Sequence, residues 1–464
     1  MNVKTTRTIA KLITLSLLTA TALHATNGDN LIVVGTKARG MGGVGIAVSH
    51  GSESALNNAA MITSVEGTEI TFGGTLFMPD IHTSFAGNSA YGNPGDGAGG
   101  PGTNPMNPGS AFFDQENYRS GANRNVIPSV SIAHKVNENW FVGIGMFGTA
   151  GMGTDYRKAG TPGTITPPTG TGPQPAGSVN YGNFNMITNL QLMQFAVPIA
   201  YKTGGLSLAV TPILQYGNLD MNYNHPDPRV GSVGNGLAQD FGLGYNLGIS
   251  YDFAANGVDG LTLGAIYKSS IEMDYDGQLT TALKPFLDPR AGSLDPLFSI
   301  GDTLEQPAEY GVGIGYTMGQ HTVGFDYKKI KWSETKGYGD FGWEDQDVYS
   351  VGYQFAQDNW AVRAGYNYGS SAVVEGNDPR LNFFNLLGFP ATSEKHYTVG
   401  GSYAFNDQFS LDLAYVYSPT NTETFDLGSF ANSPMDPNQP GMGLESITNE
   451  HQENSVSFQL SYRF

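Results

Sequence analysis

Residues 240–251, DFGLGYNLGISY, alternate apolar residues with small or polar ones along their whole length. The odd-numbered positions hold Phe241, Leu243, Tyr245, Leu247, Ile249 and Tyr251. The even-numbered positions hold Asp240, Gly242, Gly244, Asn246, Gly248 and Ser250. Because successive side chains of a β-strand point to opposite faces, this period of two predicts a strand with one apolar and one polar face.

The same alternation recurs from Thr68 to the C-terminus. It predicts about fourteen strands, each of the order of ten residues, joined by six short and seven long connections. An even strand number with short turns at one end and long loops at the other is typical of bacterial outer-membrane barrels, where the turns are periplasmic and the loops extracellular.

The apolar faces of these strands carry almost no charge, whereas charged residues fall on the opposite parity. These residues are Lys268, Asp326, Lys328, Arg363 and Asp412. A Lys or Arg that faces lipid costs about 2–4 kcal/mol at the bilayer midplane, so a membrane barrel must keep such residues inside. The sequence therefore predicts an all-β fold, a 14-stranded antiparallel transmembrane β-barrel.

The composition excludes several other classes of protein. Charged residues make up 14 % of the chain, against roughly 25 % in soluble domains. The chain has no cysteine, so disulfides, zinc–thiolate sites and cysteine nucleophiles are ruled out. A net charge of -18 argues against nucleic acid as a partner, because binding to phosphates needs a basic surface.

The N-terminus has the three-part layout of a secretory signal. Lys4, Arg7 and Lys11 precede an apolar run at 12–23, and small residues suited to cleavage end at Ala22 or Ala25. We therefore expect residues 1–25 to be a signal peptide that exports the chain to the bacterial outer membrane. We expect residues 26–67 to form an N-terminal plug, or hatch, inside the lumen, and residues 68–464 to form the barrel.

Residues 39–61, RGMGGVGIAVSHGSESALNNAAM, are the glycine-rich centre of the expected plug. Residues 40–45 match the dinucleotide-binding pattern G-x-G-x-x-G. That pattern requires a helix and a further parallel strand within about 30 residues, whereas antiparallel hairpins begin at Thr68. We therefore interpret the glycines as backbone that folds compactly inside a barrel.

No residues have the spacing of a catalytic or metal site. The histidines, among them His321, His396 and His451, are interpreted as scattered over loops and turns, and no G-x-S-x-G elbow occurs. The acidic residues between Asp340 and Asp347 are interpreted as a solvated loop rather than a cation site. We predict a protein that is not an enzyme and that uses no cofactor and no metal.

Several motifs resemble, in order, those of the FadL family of outer-membrane transporters for hydrophobic compounds. They are Arg39-Gly40-Met41-Gly42-Gly43, Asn57-Asn58-Ala59-Ala60-Met61, Phe141-Val142-Gly143-Ile144-Gly145, Ile266-Tyr267-Lys268-Ser269 and Val362-Arg363-Ala364-Gly365-Tyr366-Asn367-Tyr368. The similarity extends over essentially the whole chain. The C-terminal Phe464, on an alternately apolar strand, likewise resembles the signal that the barrel assembly machinery reads.

The FadL resemblance implies a plug that acts as a gate and a third strand that opens a gap in the wall. The expected gate residues are Gly42, Gly43, Gly45, Asn57, Asn58 and Ala59, although Asn58 stands where the family signature has proline. The expected gap residues are Gly143, Gly145, Gly148 and Gly151, since glycine weakens strand pairing. The expected pocket residues are Phe77, Phe147 and Ile213, on inward parity, with Lys331 and Lys336 as candidates to hold a carboxylate.

We therefore predict passive uptake of long-chain fatty acids or of aromatic or aliphatic hydrocarbons through an apolar pocket and a lateral opening. The expected partners are such a ligand, outer-membrane lipid and lipopolysaccharide, and the barrel assembly machinery, with the chain as a monomer. Two alternatives remain open on the sequence, an adhesin or structural barrel and a general porin.

Overall fold

A computed structural model describes residues 27–87, 118–158, 185–224, 231–287, 291–428 and 444–464. The expected signal peptide, at 1–25, lies outside these residues. The barrel strands are β1 Thr68–Gly87, β2 Asn125–Lys135, β3 Trp140–Met152, β4 Ile187–Ala196 continued by Ile199–Thr203, β5 Leu206–Asn224, β6 Ala238–Asp252, β7 Leu261–Lys268, β8 Glu309–Met318, β9 His321–Ile330, β10 Gln346–Gln357, β11 Trp360–Gly369, β12 Lys395–Ala404, β13 Phe409–Asp426 and β14 Leu444–Arg463. Two-residue strands lie at Tyr118–Arg119 and Ser232–Val233.

These strands form one closed antiparallel sheet. Each strand pairs with its neighbours in the chain, and β1 also pairs with β14, where Phe72 lies opposite Leu460. Ile70 of β1 faces Ile132 of β2 on the other side. Closure joins the first strand to the last, as a membrane-spanning sheet requires. The predicted 14-stranded antiparallel barrel is confirmed.

Apolar side chains of the strands face outward to the lipid, whereas polar and charged ones face the lumen. In β6, Phe241 and Leu243 are 61 % and 79 % exposed on the outer wall, whereas Asn246 on the inner face is buried. The charged strand residues Asp326, Lys328, Arg363 and Asp412 are all buried inside the barrel. Lys268 also points inward, where its ammonium group lies 3.0 Å from the carboxylate of Glu309.

The six short turns lie at the end of the barrel where β1 begins and β14 ends, which we call the turn end. The seven long connections lie at the opposite end, which we call the loop end. The prediction of about ten residues per strand is wrong for β1, β5, β13 and β14, which have 20, 19, 18 and 20 residues. Towards the loop end their ladders continue with polar pairs, such as the hydrogen bond of 2.8 Å between Thr424 and Thr448.

The helices lie in the N-terminal segment and in the connections. The α-helices are α1 Thr36–Gly40, α2 Ser54–Asn57, α3 Leu279–Leu283 and α4 Pro379–Gly388. The 3-10 helices are Gly51–Glu53, Ala59–Ser64, Phe253–Asn256, Lys284–Phe286, Gly292–Leu294, Pro296–Ser299 and Trp332–Glu334. Among the described residues no helix is both long and apolar enough to cross a membrane.

Candidate functional site

The N-terminal segment 27–67, which we call the luminal segment, lies inside the barrel and is hydrogen-bonded to several strands of its wall. Asp326 Oδ2 of β9 accepts hydrogen bonds from the backbone N–H groups of Gly45 and Ile46 at 2.7 and 2.9 Å. Thr398 Oγ1 of β12 accepts one from the N–H of Gly42 at 2.9 Å. These bonds satisfy backbone donors that would otherwise be buried without partners.

Two of the predicted gate glycines occupy positions that exclude a side chain. Gly42 has φ +69°, and a Cβ built there would lie 2.5 Å from the backbone nitrogen of Tyr366 in β11. Gly43 has φ +91°, and a Cβ built there would lie 3.2 Å from Oγ of Ser350. Only glycine adopts such backbone angles without strain and lets two backbones approach so closely.

Charged side chains bind the luminal segment to the wall near the turn end. Lys37 of α1 lies 3.5 Å from Glu53 of the same segment and 3.9 Å from Asp412 of β13. Arg39 donates hydrogen bonds to the hydroxyls of Ser455 and Ser457 in β14, at 2.7 and 3.1 Å. Because these charged groups are buried away from water, their partners must compensate for the hydration that they lose.

Asn58, the residue that departs from the family signature, is one of the most highly bonded side chains of the luminal segment. Its Nδ2 donates to the carbonyls of Ile46 and Ile249, at 2.7 and 3.1 Å. Its Oδ1 accepts from the N–H of Ala60 at 3.1 Å and so caps the following 3-10 helix. The neighbouring Asn57 donates to the carbonyl of Val34 at 2.9 Å. Ala59, the last predicted gate residue, is buried as the first residue of that 3-10 helix.

The half of the lumen nearer the loop end is filled by one apolar cluster. Phe147 and Ile213, two of the predicted pocket residues, are both buried in it. The cluster extends from Val34 and Leu56 of the luminal segment to Phe384 of α4. The third predicted pocket residue, Phe77, lies apart from it in a smaller cluster with Leu31 and Ile127.

A cavity of about 80 Å³ lies between the luminal segment and the wall. Its apolar lining includes Val34, Leu56, Ile266 and Ile271, and its charged lining consists of Lys268, Glu309, Asp326 and Lys328. Lys268 is paired with Glu309, and Lys328 Nζ donates to the carbonyl of Ile32 at 3.2 Å. The cavity therefore joins the apolar cluster to a set of charges that already have partners.

The structure places Lys331 and Lys336 away from this cavity, in the connection between β9 and β10. Lys331 pairs with Asp345 and, at 2.8 Å, with Glu334. These hydrogen bonds hold the pKa of Lys331 above its ordinary range. Lys336 is exposed and lies 2.9 Å from Glu272. Neither residue lines the cavity, where the basic side chains are Lys268 and Lys328. Their inward strand parity is the sequence signal that pointed to Lys268 and Lys328.

Strand β3 separates from β2 halfway along its length. Their ladder ends at Ser129 opposite Phe147, although β2 continues to pair with β1 as far as Asn125. Beyond that point β3 pairs with the luminal segment, where the N–H of Leu31 donates to the carbonyl of Thr149 at 3.0 Å. The wall therefore has a gap between β2 and β3, and the luminal segment lies against its inner side.

The four predicted gap glycines divide between the paired and the separated parts of β3. Gly143 and Gly145 lie in the part that pairs with β2. Gly148 lies at the gap, and a Cβ built there would be 2.6 Å from Cγ2 of Ile127. Gly151 donates its N–H to the carbonyl of Asp29 in the luminal segment at 2.9 Å.

The interpretation of the histidines as loop and turn residues is wrong for the three named above, while His225 lies outside the described residues. His321, His396 and His451 all lie within strands, because the strands extend further than the alternation indicated. Glu453 in β14 lies 3.4 Å from His396 and 3.2 Å from His451. Even so, among the described residues no group of three His, Asp or Glu side chains is arranged to hold a metal ion.

The C-terminal Phe464 lies at the turn end, where its backbone continues the closing ladder. Its N–H donates to the carbonyl of Thr68 at 3.0 Å, and its carbonyl accepts from the N–H of Thr68 at 2.9 Å. The ring is 64 % exposed beside Tyr462, with ring centroids 5.4 Å apart. Its role as an assembly signal stays a prediction.

A closed barrel with an apolar outer wall and an N-terminal segment bound inside its lumen defines a membrane-spanning β-barrel protein. The chain belongs to the outer membrane protein transport protein family (OMPP1/FadL/TodX), whose model matches residues 19–464. The predicted family and the outer-membrane location are therefore confirmed.

Individual relatives are distant in sequence. The long-chain fatty acid transport protein of Escherichia coli O6:H1 is 25 % identical over 221 residues, which cover 43 % of this chain and 46 % of that protein. The chain thus matches about half the length of this curated relative. The toluene transporter TodX of Pseudomonas putida is 16 % identical with a TM-score of 0.60, over 93 % of this chain and 99 % of that one. A FadL homologue of Pseudomonas aeruginosa is also 16 % identical with a TM-score of 0.60, over 96 % and 100 %.

Proposed function

We propose that this protein is a passive channel that takes up hydrophobic compounds across the outer membrane. The observation that carries the proposal is the apolar cluster that runs from α4 at the loop end to Leu56 of the luminal segment. A general porin has a polar, water-filled lumen, and an adhesin has no need of an apolar one. Burial of hydrocarbon stabilises binding by about 0.8 kcal/mol per CH₂, so such a lumen needs few polar contacts to bind its ligand.

In this proposal the luminal segment is the plug, and its gate is formed by Gly42, Gly43, Gly45, Asn57, Asn58 and Ala59. The ligand leaves sideways through the gap between β2 and β3 into the membrane. Two observations support this route. Leu31, Phe77 and Ile127 form an apolar cluster beside the gap, and the plug is hydrogen-bonded to β3 at the same level. Movement of the plug therefore opens the gap and the lumen together.

The charges of the cavity favour a neutral hydrocarbon as the ligand. Lys268 is already paired with Glu309, and Asp326 and Lys328 bind the plug backbone. A neutral molecule leaves these contacts intact, whereas a carboxylate must compete with Glu309 for Lys268. A long-chain fatty acid is the second candidate, because Lys268 and Lys328 both line the cavity.

The experiment measures uptake into liposomes whose outer leaflet is lipopolysaccharide, with radiolabelled toluene and radiolabelled oleate as probes. We expect protein-dependent uptake of toluene that the variant Lys268→Met leaves unchanged. Oleate uptake that depends on Lys268, in the absence of toluene uptake, would establish the fatty acid instead. Conductance for ions or sugars without uptake of either probe would refute the proposed function.

The remaining partners also belong to the proposal. We propose that the barrel assembly machinery reads Phe464, that lipid and lipopolysaccharide contact the exposed apolar wall, and that the chain acts as a monomer. Pairing of β1 with β14 within one chain supports the last point, since the barrel closes without a strand from a second copy.

A further inference from the structure

Helix α4 is fixed across the loop end of the lumen. Its residues from Asn382 to Gly388 are buried. The carbonyl groups at the end of a helix lack intrahelical partners, and here the wall supplies them. The carbonyls of residues 386–388 accept hydrogen bonds from Asn449 Nδ2 at 3.3 Å, from Thr154 Oγ1 at 2.7 Å and from Thr188 Oγ1. Side chains from β14, from β4 and from the connection after β3 thus hold the helix in place.

A second stretch packs against α4, and we call its described residues 284–287 and 291–300 the lid. The lid consists of the three 3-10 helices Lys284–Phe286, Gly292–Leu294 and Pro296–Ser299. The ring centroid of Phe286 lies 4.9 Å from that of Phe384 and 6.2 Å from that of Phe383. These three rings form the contact between lid and helix, which we call the seam. The seam is therefore aromatic.

One side chain binds the lid to α4 by charge. The guanidinium of Arg380 donates two hydrogen bonds to the carboxylate of Asp295 in the lid, at 2.7 and 2.9 Å. It donates another to the carbonyl of Phe286 at 3.0 Å. Burial lowers the pKa of Arg380, but hydrogen bonds to Asp378 and Asp295 outweigh that effect and raise it above its ordinary value. Such charge-assisted, two-pronged bonds are directional, so they hold the lid in one position.

The water-facing side of the lid carries two large apolar side chains beside the polar Ser293 and Ser299. Leu294 and Phe298 are 86 % and 59 % exposed, whereas Leu297 between them is buried. An apolar molecule that arrives at the loop end therefore meets Leu294 and Phe298 before the seam, and the apolar cluster of the lumen beyond it.

We propose that the seam between the lid and α4, held shut by Arg380, is the entrance through which an apolar ligand reaches the lumen. This inference rests on the proposed uptake function and adds to it where the ligand enters and what keeps that entrance closed. The ligand passes between Phe286 and Phe384 while the bonds from Arg380 to Asp295 break, and these bonds re-form behind it. Helix α4 stays fixed to the wall throughout.

The first test measures opening of the seam without any ligand. The chain has no cysteine, so a single introduced thiol reports on its own position. Ala282 is fully buried in α3 next to the lid, and Ala282→Cys adds one atom. In this background we expect Arg380→Ala to raise the rate of maleimide labelling about tenfold, because it removes hydrogen bonds to a charged group. Equal labelling rates with and without Arg380→Ala would overturn the proposal.

Arg157→Ala is the matched control. Arg157 also lies at the loop end and pairs with Asp155 at 2.9 Å, but it belongs to the connection after β3. Its removal changes the net charge by the same amount and is expected to leave the labelling rate unchanged. If Arg380→Ala yields no folded barrel, Arg380→Lys replaces it, since a lysine keeps the charge but loses the two-pronged geometry. We then expect the labelling rate to rise about threefold, and an unchanged rate would refute the role of Arg380 in holding the seam shut.

The second test closes the seam reversibly. In the double variant Asp295→Cys, Arg380→Cys, a bis-methanethiosulfonate reagent joins the two thiols, and a reductant releases them. Uptake of radiolabelled toluene is expected to fall to the level of protein-free liposomes on cross-linking and to return on reduction. Full uptake by the cross-linked protein would refute the proposal that the ligand enters through the seam. Absence of uptake in both the reduced and the unmodified protein would instead refute the uptake function. The labelling rates would still decide whether Arg380 holds the seam shut.

Discussion

The contact between Asp326 and the luminal segment, the proposed plug, leads to a quantitative prediction. A single oxygen, Oδ2, accepts the N–H groups of Gly45 and Ile46 at 2.7 and 2.9 Å inside the barrel. A hydrogen bond to a charged group contributes about 1.5–3 kcal/mol. Because the two bonds share one oxygen, we take the lower value for each, which gives about 3 kcal/mol in total. Asp326→Ala is therefore expected to raise the opening equilibrium of this part of the plug about a hundredfold.

Amide hydrogen exchange followed by mass spectrometry measures this equilibrium directly, because a buried hydrogen-bonded amide exchanges only when its segment opens. Peptides that cover residues 41–48 are expected to exchange about a hundredfold faster in Asp326→Ala. Asp326→Asn keeps a neutral acceptor oxygen, so we expect an increase of only about fivefold.

Asp347→Ala is the matched control for this experiment. Asp347 lies on the neighbouring strand β10 and bonds Tyr327 and Lys329 rather than the plug. Exchange of residues 41–48 should be unchanged in this variant. The reasoning is refuted if Asp326→Ala exchanges at the wild-type rate while it keeps the heat-modifiable mobility of a folded barrel.

Three further predictions follow from other contacts. Gly42→Ala places a methyl group 2.5 Å from the backbone of Tyr366 at φ +69°, so we expect a protease to cleave the plug of this variant. Gly45→Ala is the control, because its methyl group meets only the side chain of Asn57 at 3.2 Å, and its plug should remain protected. Gly148→Val places a branched side chain at the gap, where even a Cβ would lie 2.6 Å from Cγ2 of Ile127. We expect this crowding to lower toluene uptake at least tenfold, whereas Gly401→Val, away from the gap, keeps it. Equal uptake by the two variants argues against the lateral route. Asn58→Pro restores the residue of the family signature, but the φ of -150° and the bond from its N–H to Ser54 do not suit proline. We expect a midpoint of thermal unfolding several degrees below that of Asn58→Ala, and a higher midpoint would contradict this account.

The alternation of residues by itself determined the strands, their number and which side chains face lipid. The physical reason is that the membrane acts on every outward position alike. A charge such as Asp326 or Arg363 is too costly on the outer wall, so its parity in the sequence already places it inside. Strand pairing is also local, because each strand pairs with the next one in the chain. The strand ends were not predictable in this way, since beyond the lipid the outward face becomes polar and the period of two no longer separates strand from loop.

The tertiary structure alone decided which inward residues meet. Asp326 binds Gly45 across 281 positions of the chain, and no pattern of residue types encodes that contact, because the lumen accepts apolar, polar and charged groups alike. Strand parity did place Lys268 and Lys328 in the lumen, but only the structure shows that they line the cavity, whereas Lys331 and Lys336 pair with carboxylates outside it. The bonds that fix α4 across the loop end also depend on closure of the barrel, since only closure brings the ends of β4 and β14 to one helix.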